Sequence, residues 1–251
     1  MRQFESIAAC RDWCRSEPGA TLGLVPTMGA LHDGHLSLVR QSLATCDRTL
    51  VSIFVNPTQF DDPQDLAGYP KTLTTDLATL RQAGVDAVFL PGADELYPDG
   101  YRIRVSESEI SGLLCGAHRP GHFDGVLTVV LKLFNIVRPD KAFFGEKDYQ
   151  QLQLIRELVR AVHLPIDIVA VPTVREPDGL AMSSRNTRLS ASARARAPLL
   201  HELLASQPDC AAVRQKLEEA GFVVDYVEEL WGRRLAAVTL EGVRLIDNVE
   251  R

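Results

Sequence analysis

The chain has 251 residues, 45% of them apolar and 24% charged, with a formal net charge of −6. That length is enough to bury an α/β core with a small second domain, and the acidic balance excludes a nucleic-acid partner, whose phosphate backbone asks for a basic face. No charged-then-apolar leader and no bilayer-length apolar run stands out, and five scattered cysteines read as reduced thiols, so the expectation is a cytoplasmic protein without a membrane partner.

In chain order, Cys10 and Cys14 are four apart, but two ligands make a poor metal site and they read as ordinary thiols. Residues 22–25 are an apolar strand, and its helix is expected over 36–46. Between them runs Pro-Thr-Met-Gly-Ala-Leu-His-Asp-Gly-His, residues 26–35. A strand, a glycine-containing turn and a helix start together offer backbone N–H groups and imidazoles to a phosphate chain. The three-residue step keeps His32 and His35 on one side of a first helical turn, and Gly34 permits close approach to the backbone.

Residues 49–55 form a second, nearly continuous apolar strand, the pattern of a sheet covered on both faces. It ends in Phe-Val-Asn-Pro-Thr-Gln-Phe, where Asn56 and Gln59 suit a small ligand bearing hydroxyl and carboxylate groups, unless the segment is only a polar turn. A helix over 74–83 stops at Gly84, and a short strand over 87–90 stops at Pro91. Arg119-Pro120-Gly121-His122-Phe123-Asp124-Gly125-Val126 is either a mobile pocket wall or a tight turn with Asp124 capping the helix 126–137. A strand over 142–144 then runs into Phe-Gly-Glu-Lys-Asp-Tyr-Gln-Gln and a helix over 149–162. A lysine at a helix start is disfavoured without an anion nearby, so Lys147 points to phosphate, with a solvated charge cluster as the plain alternative. Gln151, four residues on, is expected to face the same way. The strand 166–171 closes this part at Pro172.

The texture changes near residue 180, with a turn at 175–179. Met182-Ser183-Ser184-Arg185-Asn186 reads as an anion clamp or as a polar linker. Helices over 190–204, capped by Ser190, and 211–220, stopped by Gly221, precede strands over 222–227, 235–240 and 243–246. The expected fold is α/β: a doubly wound, Rossmann-like parallel sheet over residues 1–178, followed by a smaller α+β C-terminal domain over 179–251.

The ordered set PTMGALHDGH, FVNPTQF, RPGHFDGV, FGEKDYQQ and MSSRN, closed by Arg244-Leu245-Ile246-Asp247-Asn248, resembles the pantoate–β-alanine ligase (pantothenate synthetase) family of the nucleotidyltransferase superfamily over nearly the whole chain. The resemblance implies an ATP-dependent joining of pantoate to β-alanine through a pantoyl-adenylate, with AMP and pyrophosphate released. It implies that Met28, Gly29, Ala30, Leu31, His32, Asp33, Gly34 and His35 line the ATP phosphates, with His35 as proton donor and His32 steadying the transferring phosphate. Gly145, Glu146, Lys147 and Asp148 hold ATP by the same comparison, Lys147 neutralising the reacting phosphate; Val174 meets adenine through its backbone, and Met182, Ser183, Ser184 and Arg185 clamp the phosphates. Gln59, Gln151 and Tyr69 serve pantoate, Gln59 lies beside β-alanine, and Asn56 supports it. Mg²⁺ is expected mainly on the ATP phosphates, with no protein metal site, and the assembly is expected to be a homodimer. The C-terminal domain is expected to act as a lid, shorter than usual between Tyr226 and Val243, and the Asp61-Asp62-Pro63-Gln64 loop lacks the glycine common in the family.

Overall fold

A computed structural model describes all 251 residues. Six strands, β1 (Arg2–Phe4), β2 (Leu22–Thr27), β3 (Arg48–Ile53), β4 (Ala87–Phe89), β5 (Lys141–Gly145) and β6 (Asp167–Val171), form one parallel sheet in the order β1-β4-β3-β2-β5-β6. β2 lies along β3 over its whole length, from Leu22 opposite Arg48 to Thr27 opposite Ile53, and touches β5 at Gly23 and Leu24. The chain moves outward from β2 through β3 to β4, then returns to add β5 on the far side of β2. That reversal is the switch point of a doubly wound sheet, where ligands bind beyond the carboxyl ends of the strands. Both strands at the switch run directly into a motif singled out above.

Burial on both strand faces explains the nearly continuous runs: Leu24, Leu50, Ala87 and Ala142 are buried on one face, and on the other Val25, Val51, Val88 and Phe143 pack with Leu38, Val39 and Leu80 of the helices Asp33–Thr45 and Leu73–Ala83. β1 and the helix Ile7–Cys14 escaped the sequence reading, because three residues show no period and pairing with β4 is what makes them a strand. Cys10 is buried, Cys14 half-buried, and none of the five cysteines is in a disulfide.

Two helices begin earlier than their apolar periodicity indicates. Asp33–Thr45 is started by His32, and His122–Val137 by Gly121 in the left-handed region at φ +78°. Asp124 therefore sits in the first turn of its helix and is not its cap. The Asp61-Asp62-Pro63-Gln64 segment starts a short helix, Pro63–Ala67, with Asp62 accepting from the Gln64 N–H at 2.8 Å and proline at the first position.

The chain divides into two compact units, residues 1–145 with 150–171, and residues 146–149 with 172–251. This division differs from the sequence joint at 178/179 because residues 172–178, and the turn after β5, cluster with the C-terminal unit. In that unit the helix expected over 190–204 is two, Ala191–Arg196 and Leu199–Ser206, since Pro198 has no N–H to continue the ladder. The three expected strands lengthen to eight residues each: β7 (Val223–Leu230), β8 (Arg233–Leu240) and β9 (Val243–Glu250). They are antiparallel and joined by Trp231-Gly232 and Glu241-Gly242, with positive φ at all four residues, the two-residue turn whose twist matches a hairpin. Leu200, Leu204, Val213 and Leu217 of the helices cover Val227, Ala236, Val238 and Leu245 of this sheet. No helix of the chain is long and apolar enough to cross a membrane.

Candidate active site

Beyond β2 the two histidines hold each other's backbone. His32 is the N-cap of Asp33–Thr45: its Nδ1 accepts from the Gly34 N–H at 3.1 Å, while the His32 N–H donates to Nδ1 of His35 at 3.4 Å. The rings lie with centroids 4.1 Å apart. Backbone N–H groups only donate, so both Nδ1 atoms act as acceptors, which leaves Nε2 as the N–H of each ring. The functional ends of the pair are therefore two N–H donors, suited to phosphate oxygens. Asp33 is exposed at the first helical position, and Gly34 gives its N–H to the cap.

The loop from Met28 to Leu31 is fastened from below by a residue the sequence reading passed over. Asp76, only 3% exposed, accepts the Ala30 N–H on Oδ2 and the Leu31 N–H on Oδ1, both at 2.9 Å, and the Thr72 hydroxyl at 3.1–3.2 Å. These two amides are thus committed to a carboxylate within the protein. Asp76 also makes the glycine at 29 necessary. Gly29 has φ +79°, and a Cβ there would lie 3.1 Å from Oδ2 of Asp76 and 3.2 Å from Ile53. Ala30 holds a left-handed φ of +51° without that freedom, a strain the two bonds to Asp76 offset. A carboxylate four residues before Leu80 on an otherwise apolar helix face was the available signal.

Beyond β3, Asn56 is 1% exposed and fully bonded. Its Nδ2 donates to Oε1 of Gln59 at 3.1 Å and to the Gly125 carbonyl at 3.2 Å; its Oδ1 accepts from the Tyr97 hydroxyl at 2.8 Å and the Thr58 hydroxyl at 2.9 Å. Asn56 is therefore saturated, and it aims Gln59 rather than meeting a ligand itself. With Oε1 taken, half-buried Gln59 presents its Nε2 donors, the polarity a carboxylate requires. Burial pushes the Tyr97 phenol up to about 12, so it stays a donor to Asn56.

The Arg119–Val126 motif clasps this turn and forms no separate wall. His122 Nδ1 lies 2.7 Å from the Gln59 carbonyl, Arg119 donates to the same oxygen at 3.3 Å, and Arg119 Nε pairs with Asp61 at 2.7 Å. Gly125 allows the approach: a Cβ there would sit 2.4 Å from the Thr58 carbonyl oxygen and 2.7 Å from the Gln59 nitrogen. Both are backbone atoms, so neither yields. Gly125→Ala is expected to cost about 1–3 kcal/mol in urea denaturation and to weaken binding at Gln59. An unchanged midpoint would show that the turn has room. Tyr69 is buried edge-on against Phe60 at 5.7 Å.

In the C-terminal unit, residues Glu146–Asp148 form a 3-10 turn, with Lys147 Nζ 3.9 Å from Asp148. The α-helix begins only at Tyr149, so helical four-residue spacing does not relate Lys147 to Gln151. Gln150, next to Gln151, is buried and bonds the Cys115 N–H and the Ile110 and Leu113 carbonyls at 2.8–2.9 Å. Val174 and Met182 face each other in a short hairpin, the Met182 N–H donating to the Val174 carbonyl at 3.0 Å. Ser183 caps the 3-10 turn Ser184–Arg188 by accepting from the Arg185 N–H at 3.3 Å, and Asn186 donates to the Ala181 carbonyl at 3.1 Å. Arg175 of that hairpin forks onto Asp247 at 2.7 and 3.0 Å. Burial pushes Asp247 up, but His201 and Arg175 outweigh it and hold the carboxyl below the usual range. Its contribution to stability is present above an ordinary carboxylate pKa and is lost as pH falls through the depressed one.

Comparison with known proteins agrees with this layout. The family model for pantoate-beta-alanine ligase matches residues 2–250. A pantothenate synthetase of Bdellovibrio bacteriovorus is 54% identical over 238 residues, covering 95% of this chain and 94% of that protein. The crystal structure of pantothenate synthetase from Thermus thermophilus superposes with a TM-score of 0.92 at 42% identity, over 100% of this chain and 99% of that one. A Francisella tularensis pantoate-beta-alanine ligase, described as complexed with Beta-gamma ATP and Beta-alanine, has a TM-score of 0.95 at 39% identity, over 100% and 97% of the two chains. On a family match spanning almost every residue, and a fold shared end to end with solved members, this chain belongs to the pantoate–β-alanine ligase family.

Proposed function

We propose that the chain condenses pantoate with β-alanine at the expense of ATP, through a pantoyl-adenylate, releasing AMP and pyrophosphate. The observation that carries this reading is the His32–His35 pair, two rings side by side at the helix start beyond β2, each accepting a backbone N–H at Nδ1. In the first step a pantoate carboxylate oxygen attacks the α-phosphorus, the bond to the bridging oxygen breaks, and pyrophosphate leaves with the electron pair. Two anions must meet for this, so the site needs fixed positive charge and donors in place of water. His32, His35, Lys147 and Arg185 supply them, His35 donating a hydrogen bond from Nε2 to the departing pyrophosphate. The Nε2 of Gln59, together with Gln151, holds the carboxylate substrates. In the second step the β-alanine amine attacks the acyl carbon, loses a proton, and AMP departs. No side-chain nucleophile is required.

Mg²⁺ enters as the ATP complex. Mg²⁺ of this kind keeps most of its coordination on substrate phosphate oxygens and water. Adenine recognition by the Val174 backbone, a pantoate contact at Tyr69, a lid role for the C-terminal unit, a homodimeric assembly and a cytoplasmic location belong to the same proposal.

The test is AMP release from ATP with pantoate and β-alanine, omitting each in turn. Release that needs both substrates supports the ligase. Exchange of labelled pyrophosphate into ATP that needs pantoate alone supports the adenylate. ATP turnover indifferent to pantoate would end the proposal.

A further inference from the structure

Asp247 and Asn248 are neighbours on β9, both 3% exposed, and no role in the reaction has yet been given to either. Successive residues of a strand point to opposite faces, so one dipeptide reaches two different segments. On one side Asp247 receives the fork of Arg175, which also donates to the Gly179 carbonyl at 3.1 Å and so braces the hairpin ending in Met182 and Ser183. On the other side Asn248 donates both Nδ2 hydrogens, to the carbonyls of Glu146, at 2.9 Å, and Lys147, at 3.1 Å.

The orientation of the Asn248 amide is unambiguous. Carbonyls only accept, so Nδ2 must face the Glu146–Lys147 backbone, and Oδ1 must face the Arg233 guanidinium, which donates to it at 2.8 Å. Arg233 also pairs with the Glu146 carboxylate at 3.0 Å and lies over the Tyr149 ring at 4.5 Å, gripping the same turn from β8. Asp247 additionally accepts the Asn248 N–H at 2.7 Å, tying the two halves of the device together.

We infer that Asp247 and Asn248 act as one positioning pair, setting the spacing between the Lys147 turn and the Met182–Arg185 clamp that hold the ATP phosphates. The inference rests on the functional reading above, in which those two segments bind ATP. A polar dipeptide buried at this point would be a poor choice for stability alone, because apolar neighbours could fill the space without desolvating a carboxylate. Its bonds go to the backbone and side chain that place Lys147 and the hairpin, and a spacing held that way is what in-line transfer demands.

The experiment is a double-mutant cycle on the full-length enzyme, reading KM for ATP, KM for β-alanine, kcat and the melting temperature. Asn248→Ala is expected to raise KM for ATP and lower kcat, together about ten- to a hundredfold in kcat/KM, with KM for β-alanine within about twofold. In a Lys147→Ala background the same change is expected to cost less than about threefold, since the residue it positions is gone. Asp247→Asn, which keeps the volume and loses the charge facing Arg175, is expected to show the same dependence on Arg185→Ala. Should Asn248→Ala melt too low to assay, Asn248→Asp preserves the shape and removes the donors to the two carbonyls. An equal loss in both backgrounds, or a KM for β-alanine that rises in step with that for ATP, would overturn the inference while leaving the ligase reading intact. A Lys147→Ala enzyme with unaltered ATP kinetics would overturn the ATP role of the turn and this inference with it.

Discussion

Asp76→Ala is expected to cost about 2–5 kcal/mol of stability and to remove most turnover, although nothing in the reaction requires Asp76 to touch a substrate. The substitution leaves the Ala30 and Leu31 N–H groups without their acceptor in a part-buried site, and unmade bonds of this kind cost far more than their formation contributes. It also removes what holds Ala30 at φ +51°, so the Met28–Leu31 loop relaxes and carries the His32 cap with it. Asp76→Asn is the milder probe. One amide oxygen can serve one N–H, but its NH₂ then opposes the other, and about 1–3 kcal/mol is expected. Urea denaturation gives the stability loss, and KM for ATP separates the loop effect from general unfolding. A variant with the wild-type midpoint and wild-type KM would remove Asp76 from the site.

His35→Ala is expected to do the reverse, leaving the fold nearly intact and lowering kcat about 10²- to 10³-fold, the scale of losing one donor aimed at developing charge. Its structural bond is the weak one, 3.4 Å from the His32 N–H, and His32 retains its own cap on Gly34. A stability change under about 1 kcal/mol therefore follows, comparable to loss of a partial cap. Single-turnover pyrophosphate release checks the chemistry and thermal melting checks the fold. If the variant released pyrophosphate at the normal rate, hydrogen-bond donation to the leaving group would have to be assigned elsewhere.

Much of the site was legible because its signals are local. A strand that stops at a glycine turn and yields two histidines three apart announces itself, as does a lysine placed where a helix is about to start. Other readings failed where local spacing misled. Lys147 and Gln151 share no helical face, because a 3-10 turn precedes the helix. Asn56 looks like a ligand by residue type, yet its partners Tyr97 and Gly125 lie 41 and 69 residues away and consume every bond it has.

The sequence alone determined the succession of apolar runs, turns and caps, hence the parallel sheet, the three C-terminal strands and the positions of the five motifs. Hydrophobic period and turn chemistry are properties of a few consecutive residues, and they survive without knowledge of neighbours. Only the tertiary structure decided which side chains are spent on bonds within the protein and which segments they hold. Asp76 reaches a loop 45 and 46 residues away, and Asn248 a turn 101 and 102 residues away. Such partners are chosen by the order of strands in a sheet, which sets what lies beside what, and no local pattern records it.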